Sequence, residues 1–143
     1  MNGAAPSPIV DPALLEKPFR VDCPGAFAEL ALELFALHAA RNPVYREYLQ
    51  ALAIDPASVT TVERIPCLPI GLFRNRKVLL DGLTASLRFT SSGTTGPVTS
   101  THHVPWPELY ERSFLTSFSA EYGLPSRWRV LALLPAYLER PGS

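Results

Sequence analysis

Fifteen prolines in a chain of 143 residues restrict this protein more than any other feature of its sequence. Proline holds φ near about −65° and offers no backbone N–H, so helices accept it in the first turn and sheets only at edges or bulges. Spread from Pro6 to Pro141, the prolines cut the chain into short elements joined by stiff connections. Within those limits the composition is that of a folded globular domain, since 47% of the residues are apolar and only 18% are charged. The length suits one domain of ordinary size with a real core. Thirteen basic side chains balance thirteen acidic ones, which leaves no electrostatic footprint for nucleic acid and no polybasic patch for a membrane surface. Cys23 and Cys67 stand far apart in no metal or redox spacing, the pattern of a reduced, cytoplasmic protein.

Residues 1–21 carry Pro6, Pro8, Pro12 and Pro18 among small residues, without the basic start and apolar run of a signal peptide. They read as a flexible proline-rich leader, and the domain proper is expected over 22–143. Asp22 is the expected N-cap of a helix with Pro24 in its first turn. Phe27, Leu30, Ala31, Leu34, Leu37 and His38 recur at helical spacing up to about Arg41. Leu32 and Phe35 fall off that stripe, so the helix is expected to pack on two sides. His38, at the stripe's edge, reads as a packed structural residue. Asn42-Pro43 restarts the chain as cap and first helical position, ahead of an inner face of Val44, Tyr45, Tyr48, Leu49 and Leu52. Asp55-Pro56 closes this second helix, and Thr60 with Glu63 suits a capping box on a short turn. Ile65-Pro66-Cys67-Leu68-Pro69-Ile70 reads as a buried extended connector, with Cys67 as a small apolar filler.

Lys77 to Leu80, Asp81-Gly82 and Thr84 to Thr90 predict a β-hairpin whose second strand puts Ala85, Leu87 and Phe89 on one face. A further strand is expected over Thr99 to Val104. Its adjacent His102 and His103 project to opposite faces and so do not suit one metal ion; one of the two is a candidate contact for a phosphate or carboxylate. Arg74, Arg76 and Lys77, ahead of the hairpin, read as a solvated basic cluster, with a place facing a phosphate or acyl-adenylate as the lesser reading. Pro107 to Tyr122 has the length and periodicity of a helix stopped by Gly123. Trp128 to Leu134 is an apolar run of the kind that forms a covered strand. The sum is an α/β domain, with N-terminal helices followed by a mixed sheet. No stretch is long and apolar enough to span a bilayer.

Between the two strands before the last helix lies Thr90-Ser91-Ser92-Gly93-Thr94-Thr95-Gly96-Pro97, a run of hydroxyls and glycines without charge or bulk. Glycines admit positive φ and close approach, and consecutive amides can form an anion-binding nest. Ser91, Ser92, Gly93, Thr94, Thr95 and Gly96 are therefore the candidate ligands for a polyphosphate. The spacing is neither that of a Walker A loop nor that of the G-x-G-x-x-G dinucleotide fingerprint. No glycine precedes the serine pair as a nucleophile elbow requires, so a serine hydrolase using Ser92 with His102 or His103 is the weakest reading. A polar hairpin or linker is the alternative that the spacing by itself leaves open.

The run from Thr90 to Gly96 resembles the phosphate-binding loop of the adenylate-forming superfamily, which includes acyl-CoA synthetases, luciferases and nonribosomal adenylation domains. Thr101-His102-His103-Val104, Leu133 to Arg140, Asn42 to Glu47 and Ile65 to Ile70 are similar to one branch of it. That branch contains the acyl-protein synthetase of bacterial bioluminescence fatty acid reductases, and the resemblance covers roughly residues 25–143. It implies that the loop grips the β- and γ-phosphates of ATP, supplied with Mg, while a fatty or other carboxylic acid attacks the α-phosphorus. The acyl group then passes to a thiol or other acceptor. The resemblance also implies an incomplete, N-terminal piece of the adenylate-forming large domain. The superfamily's adenine contacts, magnesium-positioning acid and C-terminal lysine domain all come later in sequence than the stretch matched here. Where the superfamily usually has Pro-Lys after its loop, this chain reads Pro97-Val98-Thr99, with no lysine. The expected function is thus part of an acyl-activating ligase, inactive alone and completed by a complementing chain. No magnesium ligand, acid, base or nucleophile is identified. The alternative is a non-catalytic module that binds a nucleotide or another subunit.

Overall fold

The computed structural model describes residues 9–91 and 99–131. They fall into two units, one made of the residues up to Pro69 with Val78–Leu83, the other of Ile70–Lys77 with the residues from Thr84 onward.

In the first unit the proline positions start the helices. Helix α1 (Pro12–Glu16) opens at Pro12, and the Asp11 carboxylate accepts the Ala13 N–H at 2.8 Å, the usual way to satisfy an orphan first-turn donor. A 3-10 turn (Lys17–Arg20) follows. Val10 and Leu14 are buried here. Within the stretch expected as a leader, residues 9–20 thus hold a capped helix, a 3-10 turn and two buried apolar side chains; residues 1–8 lie outside the described part. Helix α2 (Pro24–Arg41) begins one position later than expected, with Cys23 as N-cap and its Sγ 3.5 Å from the Ala26 N–H. Asp22 lies just outside. Lys17 reaches α2 in an ion pair with Glu33; both side chains are exposed, so the pair adds little stability.

Asn42 joins α2 to helix α3 (Pro43–Ala51) and is only 1% exposed. Its backbone N–H closes α2 on the His38 carbonyl at 2.9 Å, and its Oδ1 caps α3 by accepting the Tyr45 N–H at 3.3 Å. The tight junction folds α3 back on α2, and a core forms from Phe35, Ala39, Tyr45 and Leu49, with Tyr48, Ile54, Val59, Ile65 and Leu68 packed against it. The buried stripe of α2 therefore runs through Leu30, Phe35 and Ala39. It is rotated from the expected one, and Phe27 is left 56% exposed. The rotation follows from Phe35 meeting Tyr45 edge to face at 6.0 Å. Burying side chains of this size supplies about 1.5–3 kcal/mol each.

After α3 come 3-10 turns at Pro56–Ser58 and Val62–Arg64. The second has Thr61, not Thr60, at its N-cap and no side-chain cap bond. The connector that follows is anchored where the Tyr45 hydroxyl donates to the Pro66 carbonyl at 2.6 Å, while Cys67 is exposed and fills no core space.

The expected hairpin over 77–90 is not formed. Leu83 N–H bonds the Leu80 carbonyl around Asp81-Gly82, and only Gly82 has positive φ, at 83°. Positive φ at the second central residue alone is the type II pattern; two-residue hairpins need the primed types. Asp81 instead belongs with the helices. Its N–H donates to the Arg41 carbonyl at 2.7 Å, and its carboxylate pairs with Arg46 at 3.2 Å.

The second unit holds the sheet. Strands β1 (Leu87–Thr90) and β2 (Thr101–Val104) pair antiparallel with Leu87 opposite Val104, Arg88 opposite His103, Phe89 opposite His102 and Thr90 opposite Thr101. The α/β character stands, but among the described residues the sheet is two-stranded and antiparallel rather than mixed. Helix α4 (Pro107–Tyr122) ends at Gly123, whose φ of 76° and N–H bond to the Ser119 carbonyl make the stop. Phe89 touches Tyr110 of α4 at a ring separation of 5.0 Å. Trp128 to Leu131, expected to open a covered strand, pair with no strand among the described residues, and Leu131 is 98% exposed. No helix among the described residues is long and apolar enough to cross a membrane.

Candidate functional site

Two strands joined by a hydroxyl-rich segment form a hairpin, and its neck is closed by two hydrogen bonds. Ser91 N–H donates to the Ser100 carbonyl at 3.0 Å, and Ser100 N–H donates to Ser91 Oγ at 2.9 Å. Ser91, a candidate phosphate ligand, thus uses a lone pair of its hydroxyl to fasten the neck, and its O–H hydrogen is available to a further acceptor. Ser92, Gly93, Thr94, Thr95 and Gly96, the other candidates, lie outside the described residues.

The two faces of the hairpin differ in chemistry. On one, Phe89 and His102 sit opposite each other, with Tyr110 against Phe89 and Phe73 stacked on the His102 ring at 4.7 Å. Phe73 comes from the 3-10 turn Ile70–Arg74, which packs against β2. On the other face, alternation sets Arg88 opposite His103. The two histidines therefore point apart, as their adjacency in a strand requires, and only His103 shares a face with a cation of the partner strand. His103 Nδ1 is closed off from solvent and meets no hydrogen-bond partner among the described residues. Loss of hydration lowers the His103 pKa below its ordinary value, and the charges of Lys77 and Arg88, with His102, push the same way.

His38, read as a packed structural residue, is exposed overall but meets its neighbours on one side. Its Nδ1 lies 3.3 Å from Asn42 Nδ2, its ring meets Tyr45 edge to face at 6.4 Å, and desolvation lowers its pKa. An apolar groove between α2 and the Pro56–Val59 segment is lined by Leu32, Phe35, Ala36 and Ala39, with no convergent polar group. Among the described residues no cluster of three or more His, Cys, Asp or Glu is placed to hold a metal ion.

Sequence reading preferred a solvated cluster for Lys77 over a phosphate contact and did not single out Arg88. Strand alternation puts Arg88 off the Leu87/Phe89 face, but only the register of β1 on β2 brings it to His103.

No protein-family model matches this chain, and neither the curated proteins nor the solved structures include a match to it.

Proposed function

We propose that this chain supplies the phosphate-binding part of an ATP-dependent acyl-activating enzyme. In the full reaction a carboxylic acid and ATP give an acyl-adenylate and pyrophosphate, and the acyl group then moves to a thiol or other acceptor. The observation that carries the reading is the double hydrogen bond between Ser91 and Ser100, described residues on either side of the Ser/Thr/Gly run. A segment rich in glycine and hydroxyls, fixed at both ends, loses less entropy on wrapping a polyphosphate than a free linker does. Its role is electrostatic: amides and the hydroxyls of Ser91, Ser92, Thr94 and Thr95 hold the charge that develops on the leaving pyrophosphate. ATP is taken with Mg, and the protein works in the cytoplasm.

A second observation favours completion by more polypeptide. Every buried apolar side chain among the described residues belongs to the first unit, while in the second Tyr110, Phe114, Leu115, Tyr122 and Trp128 are about half exposed or more. An apolar patch of this kind on a folded unit marks a covering partner. The deciding test is calorimetric titration of the chain with ATP·Mg, beside the double variant Thr94→Val/Thr95→Val. Saturable heat in the parent and none in the variant is the expected result. Equal binding by both, or no binding even with a complementing chain present, overturns the proposal.

A further inference from the structure

One face of the hairpin brings two basic side chains together across the strands. Arg88 and His103 are directly opposed across the strands, which sets their Cβ atoms about 4.5–5.5 Å apart. Lys77, on the connection that follows the Ile70–Arg74 turn, is near enough for its charge to act on His103. The charges that act on His103 are those of Lys77 and Arg88 on its own side and, from the opposite face, His102. The ion pairs Lys17–Glu33 and Arg46–Asp81 both belong to the first unit. Among the described residues no carboxylate pairs with Lys77 or Arg88. Like charges gathered without a counter-charge oppose the fold, and a solvent-free ring nitrogen without a partner costs free energy as well.

An oxyanion at this face relieves the repulsion between the like charges. Arg88 offers a planar fork that matches phosphate oxygens in pairs, Lys77 a compact point charge, and His103 a ring nitrogen able to donate once protonated. Two fixed cations and a third on protonation suit a multiply charged phosphate better than a single carboxylate. We propose that Lys77, Arg88 and His103 form a binding site for a phosphate group. The choice of phosphate rests on the function proposed above, but the site uses no side chain of the hydroxyl-rich segment. Its signature is proton uptake. Without the anion His103 is neutral near pH 7, and the anion reverses the local field and favours the imidazolium, so binding near pH 7 is accompanied by proton uptake at His103.

The experiment is a titration of the full chain with inorganic pyrophosphate, read at the His103 imidazole Cε1–H by NMR and identified with His103→Gln. The expected result is an upward move of the His103 pKa and an affinity about tenfold weaker in Arg88→Gln and in Lys77→Gln, with Arg127→Gln, a charge control on another part of the unit, unchanged. An unmoved His103 signal, or equal affinity in the parent and both Gln variants, overturns the site. Pyrophosphate binding that survives Thr94→Val/Thr95→Val but fails in Arg88→Gln supports it even if the ATP reading falls. Binding lost only in the threonine double variant overturns it and leaves the ATP reading intact.

Discussion

Replacing Asn42 tests the junction on which the first unit turns. The cap needs the amide oxygen toward the Tyr45 N–H, so the amide nitrogen faces His38 and donates to Nδ1 at 3.3 Å. That bond requires an imidazole whose proton sits on Nε2. In Asn42→Ala the α3 cap is lost, at about 1 kcal/mol, and a buried Tyr45 N–H is left unpaired, which brings the total to about 1–3 kcal/mol. Melting followed by far-UV circular dichroism then falls by about 4–8 °C for each kcal/mol in a unit of this size. Asn42→Asp keeps the acceptor and removes the donor, so the two substitutions separate the cap from the histidine. In the parent, desolvation holds the folded pKa of His38 low. Its contribution is complete above the unfolded-state value of about 6.5 and is lost as pH falls through that value toward the lowered folded one. In Asn42→Asp the imidazolium Nδ1–H gains a carboxylate, and the folded pKa rises. Stability from that pair is present below the unfolded pKa and lost as pH rises through the folded one. The variant therefore gains on the parent as pH drops from about 7.5 to about 5.5. Parallel pH profiles for the two proteins, or an alanine variant as stable as the parent, refute the reasoning.

Leu49, 2% exposed, leaves a core cavity when cut to alanine, and Leu49→Ala loses about 2–5 kcal/mol in urea unfolding. Tyr45→Phe removes the donor to the Pro66 carbonyl and costs about 1 kcal/mol by the same assay; no loss shows that the bond does not hold the connector. Gly82→Ala forces a side chain into φ 83° with its Cβ 2.9 Å from Ile9 Cδ1, and costs about 1–2 kcal/mol, the flexible isoleucine end yielding. Leu115→Lys, at a residue 45% exposed, changes stability by less than about 0.5 kcal/mol and lowers binding of a hydrophobic dye.

What was legible in the sequence depended on whether a local signal decided the outcome. Asn42-Pro43, Pro107 and Gly123 act within one helical turn, through a cap, a fixed φ and a positive φ, and each marks the boundary expected of it. The buried stripe of α2 was displaced because apolar residues occur around most of that helix, so periodicity alone left its angle open and the contact of Phe35 with Tyr45 set it. Asp81-Gly82 shows the same limit. The dipeptide did make a turn, but Arg41 and Arg46, about forty residues earlier, bind Asp81 by its N–H and its carboxylate. A contact that distant left no trace in the hairpin pattern.

The candidate site divides along the same line. Its hydroxyl-rich segment was visible as a composition, and Ser91 and Ser100 are now seen to tie its ends together, yet no spacing rule relates those two serines. The basic face was hidden because Lys77, Arg88 and His103 lie on three separate stretches, each unremarkable for a solvated surface. Register sets Arg88 opposite His103, and Lys77 is near enough for its charge to act on that ring. A slip of β1 by one residue on β2 would carry Arg88 to the Phe89 face, against Tyr110 and Phe73, where a charge would be desolvated without a partner. The apolar contacts of Phe89 and His102 thus fix the register, and the register sets Arg88 against His103 on the opposite face. The packing of the apolar side therefore determines the chemistry of the other.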